Sequence, residues 1–164
     1  TLDPVLNRRM EPRVPSPARR LATIRRLTEA GVPVRVMVSP IVPGLTDPEL
    51  EGILTAAKDA GAVAATWAML RLPLEVAPLW EDWMDTHYPN RKERVMSKLR
   101  EMHGGKTYDA QWFKRLRGRG PYADLIALRF TKARRRLGLL QTMPDLDCTA
   151  FAPPPQARDQ LCLF

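Results

Sequence analysis

The chain has 164 residues, 45% of them hydrophobic and 27% charged, with a net charge of +8. That is the composition of one folded domain with or without a tail, and it excludes wholesale disorder. No run of apolar residues is long enough to span a bilayer, so no membrane contact is expected. The expected compartment is the cytoplasm. The chain starts at Thr1 with no initiator Met and no basic-then-apolar leader, which reads as a processed or truncated end. Two cysteines, Cys148 and Cys162, are too few for a disulfide scaffold or a four-cysteine zinc site.

In chain order, Ser16 and Pro17 open a helix with Leu21, Ile24 and Leu27 at helical spacing, and Gly31 stops it. Residues 32–38, Val-Pro-Val-Arg-Val-Met-Val, read as a buried strand. A loop covers 39–47. Asp47 then caps a helix started by Pro48, with Leu50, Ile53, Leu54 and Ala57 inward and a stop at Gly61. Residues 62–72 form a second strand. The helix-end pattern Leu27-Thr-Glu-Ala-Gly31 returns as Ala57-Lys-Asp-Ala-Gly61, each time before an apolar strand. A period near 30 is one βα unit, so the strands should be parallel. Two such units make an incomplete core, and Thr1 to Asp3 reads as the sequel of a missing strand.

From residue 77 the pattern turns helical. Leu79, Trp80, Trp83, Met84 and His87 mark a short helix ended by Pro89. Asn90 caps the next, with Val95, Leu99 and Met102 inward and Gly104 after it. Residues 108–117 are expected to be helical. Pro121 opens a long helix with Leu125, Ile126, Phe130, Ala133 and Leu137 on one stripe. Residues 141–164, with Pro153 to Pro155, read as a flexible tail. The divisions are 1–76, 77–140 and 141–164.

The charge is uneven. Residues 91–136 carry +11, whereas 31–90 carry −5. A basic block favours a polyanion, most simply nucleic acid, through Arg115, Arg117, Arg119, Arg134, Arg135 and Arg136. The competing reading is a set of solvated helix faces. Trp67, Trp80, Trp83 and Trp112 suit base stacking or core packing, and core packing is the better fit. His103-Gly-Gly-Lys-Thr107 lacks the first glycine and the preceding strand of a phosphate loop, so it reads as a turn. His87 and His103 have no acidic or thiol set around them that suggests a metal. The 39–47 loop leaves the C-terminal end of a parallel strand, where α/β proteins bind ligands; the alternative is a merely rigid turn. The last five residues, Gln160 to Phe164, carry three apolar side chains and suit docking, either in a partner's groove or back on the chain's own domain.

Three stretches together resemble the radical S-adenosylmethionine (radical SAM) superfamily. They are Met10 to Leu21, Ala30 to Asp47, and the set Leu70-Arg-Leu-Pro-Leu-Glu75, Gly104-Gly-Lys-Thr-Tyr108 and Gly120-Pro-Tyr-Ala-Asp124. The branch is the one related to spore photoproduct lyase, loosely called DNA-repair photolyases. The resemblance implies an α/β fold: the C-terminal part of a partial (β/α)6 barrel followed by a mostly helical extension. It implies S-adenosylmethionine and a [4Fe-4S] cluster in the full-length enzyme, and hydrogen abstraction by a 5′-deoxyadenosyl radical, on nucleic acid by kinship. The family's Cys-x3-Cys-x2-Cys motif is absent, so no cluster is expected on this chain alone. By match to the family's motifs, Arg13 holds the methionyl carboxylate and Ser39 lies near the ribose. Val42 and Gly44 face adenine, and Leu70 closes the pocket. Pro40 and Asp47 replace the glycine and glutamate of the family's adenine motif. Gln160, Leu161, Leu163 and Phe164 resemble the bacterial sliding-clamp binding motif. This gives a second reading: a non-catalytic replication or repair module.

Overall fold

The computed structural model describes residues 1–112, 114–143, 145, 148–149 and 151–154. Asp3 caps the first helix, α1 (Pro4–Met10), by accepting from the Val5 and Leu6 N–H groups. Ser16 caps α2 (Pro17–Glu29), as the Ser-Pro pair requires. Strand β1 (Arg35–Ile41) leads through a short 3₁₀ turn (Asp47–Glu49) into α3 (Leu50–Asp59), and β2 (Ala64–Met69) follows. Helices α4 (Val76–His87), α5 (Pro89–Met102) and α6 (Pro121–Arg136) complete the described elements.

The strands are parallel, as expected. Their register runs from Arg35 opposite Ala64 to Val38 opposite Trp67, then slips before Ile41 pairs with Met69. Both strands sit later or shorter than the sequence suggests: β1 runs through Pro40, and β2 ends at Met69. The described residues between 108 and 117 hold no helix: 108–110 are irregular, 111–112 bend and turn, and 114–117 form turns. Asp109, Gly118 and Gly120 explain this, because each favours turn over helix interior. On α6, Ile126, Phe130 and Ala133 are buried, but Leu125 is exposed.

The barrel expectation is wrong. The described residues form a small α/β domain with six α-helices and a two-stranded sheet. Two strands cannot curve into a barrel. Among the described residues the outer edge of β2 meets a single bridge from Ala64 to Leu140 and the Leu116 carbonyl, which accepts from Met69 N–H.

Burial supplies the stability. Leu50, Leu54, Met84, Val95, Leu99 and Ile126 are fully buried, each contributing about 1.5–3 kcal/mol relative to exposure. One cluster of buried side chains runs from Leu6 to Leu139. Helix α3 packs on β1, α2 and α6 pack on α3, and α4 and α6 pack on α5. The opposite face of β1 is open: Arg35, Met37 and Ser39 are exposed. No helix among the described residues is long and apolar enough to cross a membrane.

Candidate functional site

The loop after β1 is folded on itself. The Val42 carbonyl accepts from the N–H groups of Leu45 (3.1 Å) and Thr46 (3.0 Å), and Val42 N–H donates to Thr46 Oγ1 at 2.8 Å. Gly44, at φ +71°, donates its N–H to Asp47 Oδ1 at 2.6 Å. Asp47 therefore closes the loop behind it instead of capping the helix ahead.

Helix α6 clamps the same loop from outside. Tyr122 donates its hydroxyl to Asp47 Oδ2 at 2.8 Å. Arg129 donates from Nη2 to the Asp47 carbonyl (2.9 Å) and to Glu51 Oε2 (2.6 Å), and from Nε to Glu51 Oε1 (2.8 Å). The Lys98 ammonium lies 3.7 Å from the Tyr122 ring centroid. The Arg129 hydrogen bond holds the Glu51 carboxyl below the usual carboxylate range. Burial, then the bond to Asp47, push the Tyr122 phenol upward. The result is a preorganised loop at the C-terminal end of a parallel strand. Sequence reasoning missed Glu51, Tyr122 and Arg129, because the partners lie more than 70 residues apart.

The residues matched to the cofactor fall into two groups. Ser39 is exposed, its hydroxyl makes no hydrogen bond among the described residues, and it lines a cleft with Leu2, Arg20, Ile24, Val36 and Pro40. Arg13 is exposed with no acidic partner among the described residues, but it does not line that cleft. Arg20 does, with its guanidinium held by Glu11 at 2.5 Å. Val42 is fully buried and its N–H is committed to Thr46, so it shapes the loop from the core side. Leu70 is buried beside it, donating its N–H to the Ile41 carbonyl at 2.9 Å. Gly44 is half-buried against Arg94.

The cleft encloses about 110 Å³, whereas a site for a ligand of this size takes roughly 300 Å³ or more. Ser39 leaves its hydroxyl uncommitted on that cleft, whereas Arg13, its guanidinium also without an acidic partner among the described residues, stands outside it. The cluster does not fit: the sequence has two cysteines where the motif needs three.

The basic block does not form a single face. Arg115 lies over Trp112, at 3.8 Å from the ring centroid, and Trp112 is exposed. Arg117 lies over the buried Trp67 at 4.0 Å. Arg134 donates to the Leu139 carbonyl at 2.8 Å and shares a cleft with Arg117. Arg136 instead borders Glu51 and Arg129, and Arg119 and Arg135 are exposed. Core packing holds for Trp67, which meets Phe130 at 6.0 Å.

His103-Gly-Gly-Lys-Thr107 is a helix end: Gly105 N–H donates to the Arg100 carbonyl at 2.8 Å, closing α5. His103 is buried with neither ring nitrogen bonded, and burial lowers its pKa. His87 packs on Trp83 at 5.1 Å. No group of three metal-ligating side chains occurs among the described residues. Gln160, Leu161, Leu163 and Phe164 lie outside the described residues.

The chain is similar to uncharacterized proteins of Mycobacterium bovis and of two strains of Mycobacterium tuberculosis. Each is 33% identical over 108 residues, covering 65% of this chain and 31% of the relative. No family model matches, and no solved structure matches. The matched region therefore spans about a third of the length of the curated relatives.

Proposed function

We propose that this chain is part of a radical SAM enzyme, to which it contributes one wall of the S-adenosylmethionine site. The observation that carries the reading is the self-bonded 42–47 loop at the strand end, with the free Ser39 hydroxyl beside it. When bound, S-adenosylmethionine supplies, with a cluster held elsewhere, a 5′-deoxyadenosyl radical that takes hydrogen from the substrate. The chain's own part is binding and orientation. The Arg13 guanidinium suits the methionyl carboxylate, and Ser39 the ribose hydroxyls. The Asp47, Tyr122 and Arg129 clamp keeps the loop in one shape, so no ordering cost falls on binding. Relatives about three times the length of the matched region leave room for cluster ligands outside it.

The test uses the longest reading frame containing this chain, reconstituted anaerobically. Iron and sulfide near four per protein, with S-adenosylmethionine binding by calorimetry, are expected. Arg13→Ala weakens that binding about ten- to a hundredfold, the loss of one charge-assisted bond of about 1.5–3 kcal/mol. A full-length protein that takes up no cluster sinks the reading.

A second reading, contact with nucleic acid through the basic block, is favoured by the exposed Trp112 with Arg115 stacked on it. Oligonucleotide affinity should fall steeply with salt. The triple reversal Arg134→Glu, Arg135→Glu, Arg136→Glu should flatten the slope of log K against log salt by about 2–3. An unchanged slope makes the block a solvated face.

A further inference from the structure

A second cleft opens along the outer edge of β2, away from β1 and from the 42–47 loop. It encloses about 290 Å³, and its lining includes Thr66, Trp67, Arg117, Asp124, Phe130 and Arg134. Ala65 N–H donates outward to the Leu140 carbonyl (3.0 Å), and Met69 N–H to the Leu116 carbonyl (2.9 Å). Strand alternation places the Trp67 N–H on this same edge, midway between them. It meets no backbone acceptor among the described residues.

Two guanidinium groups border that gap. Arg117 is stacked on the Trp67 ring, and its Nη1 is shut away from solvent with no acceptor among the described residues. Burial lowers its pKa, and no carboxylate pairs with it among the described residues. A half-buried cation without a counter-charge is costly, and an anion offsets that cost. Arg134 is oriented by its bond to the Leu139 carbonyl, which leaves further donors for a ligand. Asp124 is the one carboxylate among the described residues of the lining, against Arg117 and Arg134.

We propose that this cleft is a phosphate-binding site, with Arg117 and Arg134 paired to the phosphate oxygens and the Trp67 N–H as a third donor. The inference does not rest on the S-adenosylmethionine reading. It narrows the nucleic-acid reading from six arginines to two, and it stands without that reading if the ligand is a small phosphate. A free phosphate and a nucleic-acid backbone share this chemistry.

The test follows the ¹H–¹⁵N spectrum of the 164-residue chain while inorganic phosphate is added at constant ionic strength. A saturable shift of the Trp67 amide is expected. Arg117→Met and Arg134→Met should each weaken it about tenfold or more, whereas Arg25→Met with Arg26→Met, at two exposed arginines of α2 that do not line the cleft, should change it less than about twofold. Thermal melts accompany each variant; if Arg117→Met does not fold, Arg134→Met decides alone. No saturable shift in the wild type overturns the proposal, as does equal weakening by the Arg25 and Arg26 pair. A short single-stranded oligonucleotide separates the two sources. Phosphate binding without oligonucleotide binding keeps the site and removes the nucleic-acid reading. Oligonucleotide binding that ignores both Arg117→Met and Arg134→Met puts nucleic acid elsewhere on the chain, and the cleft is then a site for free phosphate only if the phosphate shift depends on those two residues.

Discussion

Gly61→Ala destabilises the chain by about 2–6 kcal/mol, a large share of the 5–15 kcal/mol that holds a typical domain together. Two costs add. Gly61 has φ +103°, where an L side chain is strained by about 1–3 kcal/mol. A Cβ built there also lies 2.6 Å from Thr28 Cγ2 and 2.9 Å from Thr28 Cβ. Thr28 cannot swing away freely, because its hydroxyl donates to the Ile24 carbonyl at 3.0 Å. Overpacking of this kind costs about 1–3 kcal/mol. Gly31 ends the sister helix at φ +79° with nothing within 4 Å of its added Cβ. Gly31→Ala should therefore cost only the backbone share, about 1–3 kcal/mol. Urea unfolding followed by tryptophan fluorescence measures both. Equal losses would show that the contact with Thr28 is not tight in solution.

That pair of glycines shows where the sequence was legible. Local signals were. Ser16 and Pro17 start α2 where expected, Gly31 and Gly61 end α2 and α3, and the βα repeat gives parallel strands. Asp3 followed by Pro4 is the same kind of local signal, and α1 starts there. Non-local chemistry was not legible. Nothing near Asp47 announces Tyr122, and nothing near Glu51 announces Arg129, yet these bonds fix the loop that carries the candidate site. Charge counting also misled in part. It joined Arg134 and Arg136 in one patch, but two residues along a helix turn about 200°, and they border different clefts. The barrel expectation came from the resemblance, whereas the described residues build a two-stranded sheet with six helices and leave one face of β1 open.

Arg129→Met loosens the candidate loop and lowers stability by about 1.5–3 kcal/mol at neutral pH. Methionine keeps the apolar stem, so the loss reports the guanidinium. The wild-type side chain makes two bonds to Glu51 and one to the Asp47 carbonyl, and it is partly exposed, so solvent screening keeps the loss within that range. The pH dependence follows from Glu51, whose folded pKa lies below its ordinary 4.5 because of the Arg129 hydrogen bond. Such a carboxylate stabilises the folded state above its unfolded pKa, and the contribution is lost as pH falls through the lower, folded value. The gap between wild type and variant should therefore be constant from pH 7 to about pH 5 and shrink below about pH 4.5. Glu51→Gln should give the same acid profile, and the double variant should cost less than the two single losses added, because the residues share bonds. A merely structural role ends there, but the loop adds a second readout. Without the Arg129 bond to its carbonyl, Asp47 is held by Tyr122 alone from α6, and the Gly44 N–H that donates to Asp47 should exchange with solvent faster. Hydrogen exchange at Gly44 and Val42 checks this. If both amides stay as protected as in the wild type while stability falls, the clamp supports α3 rather than the loop.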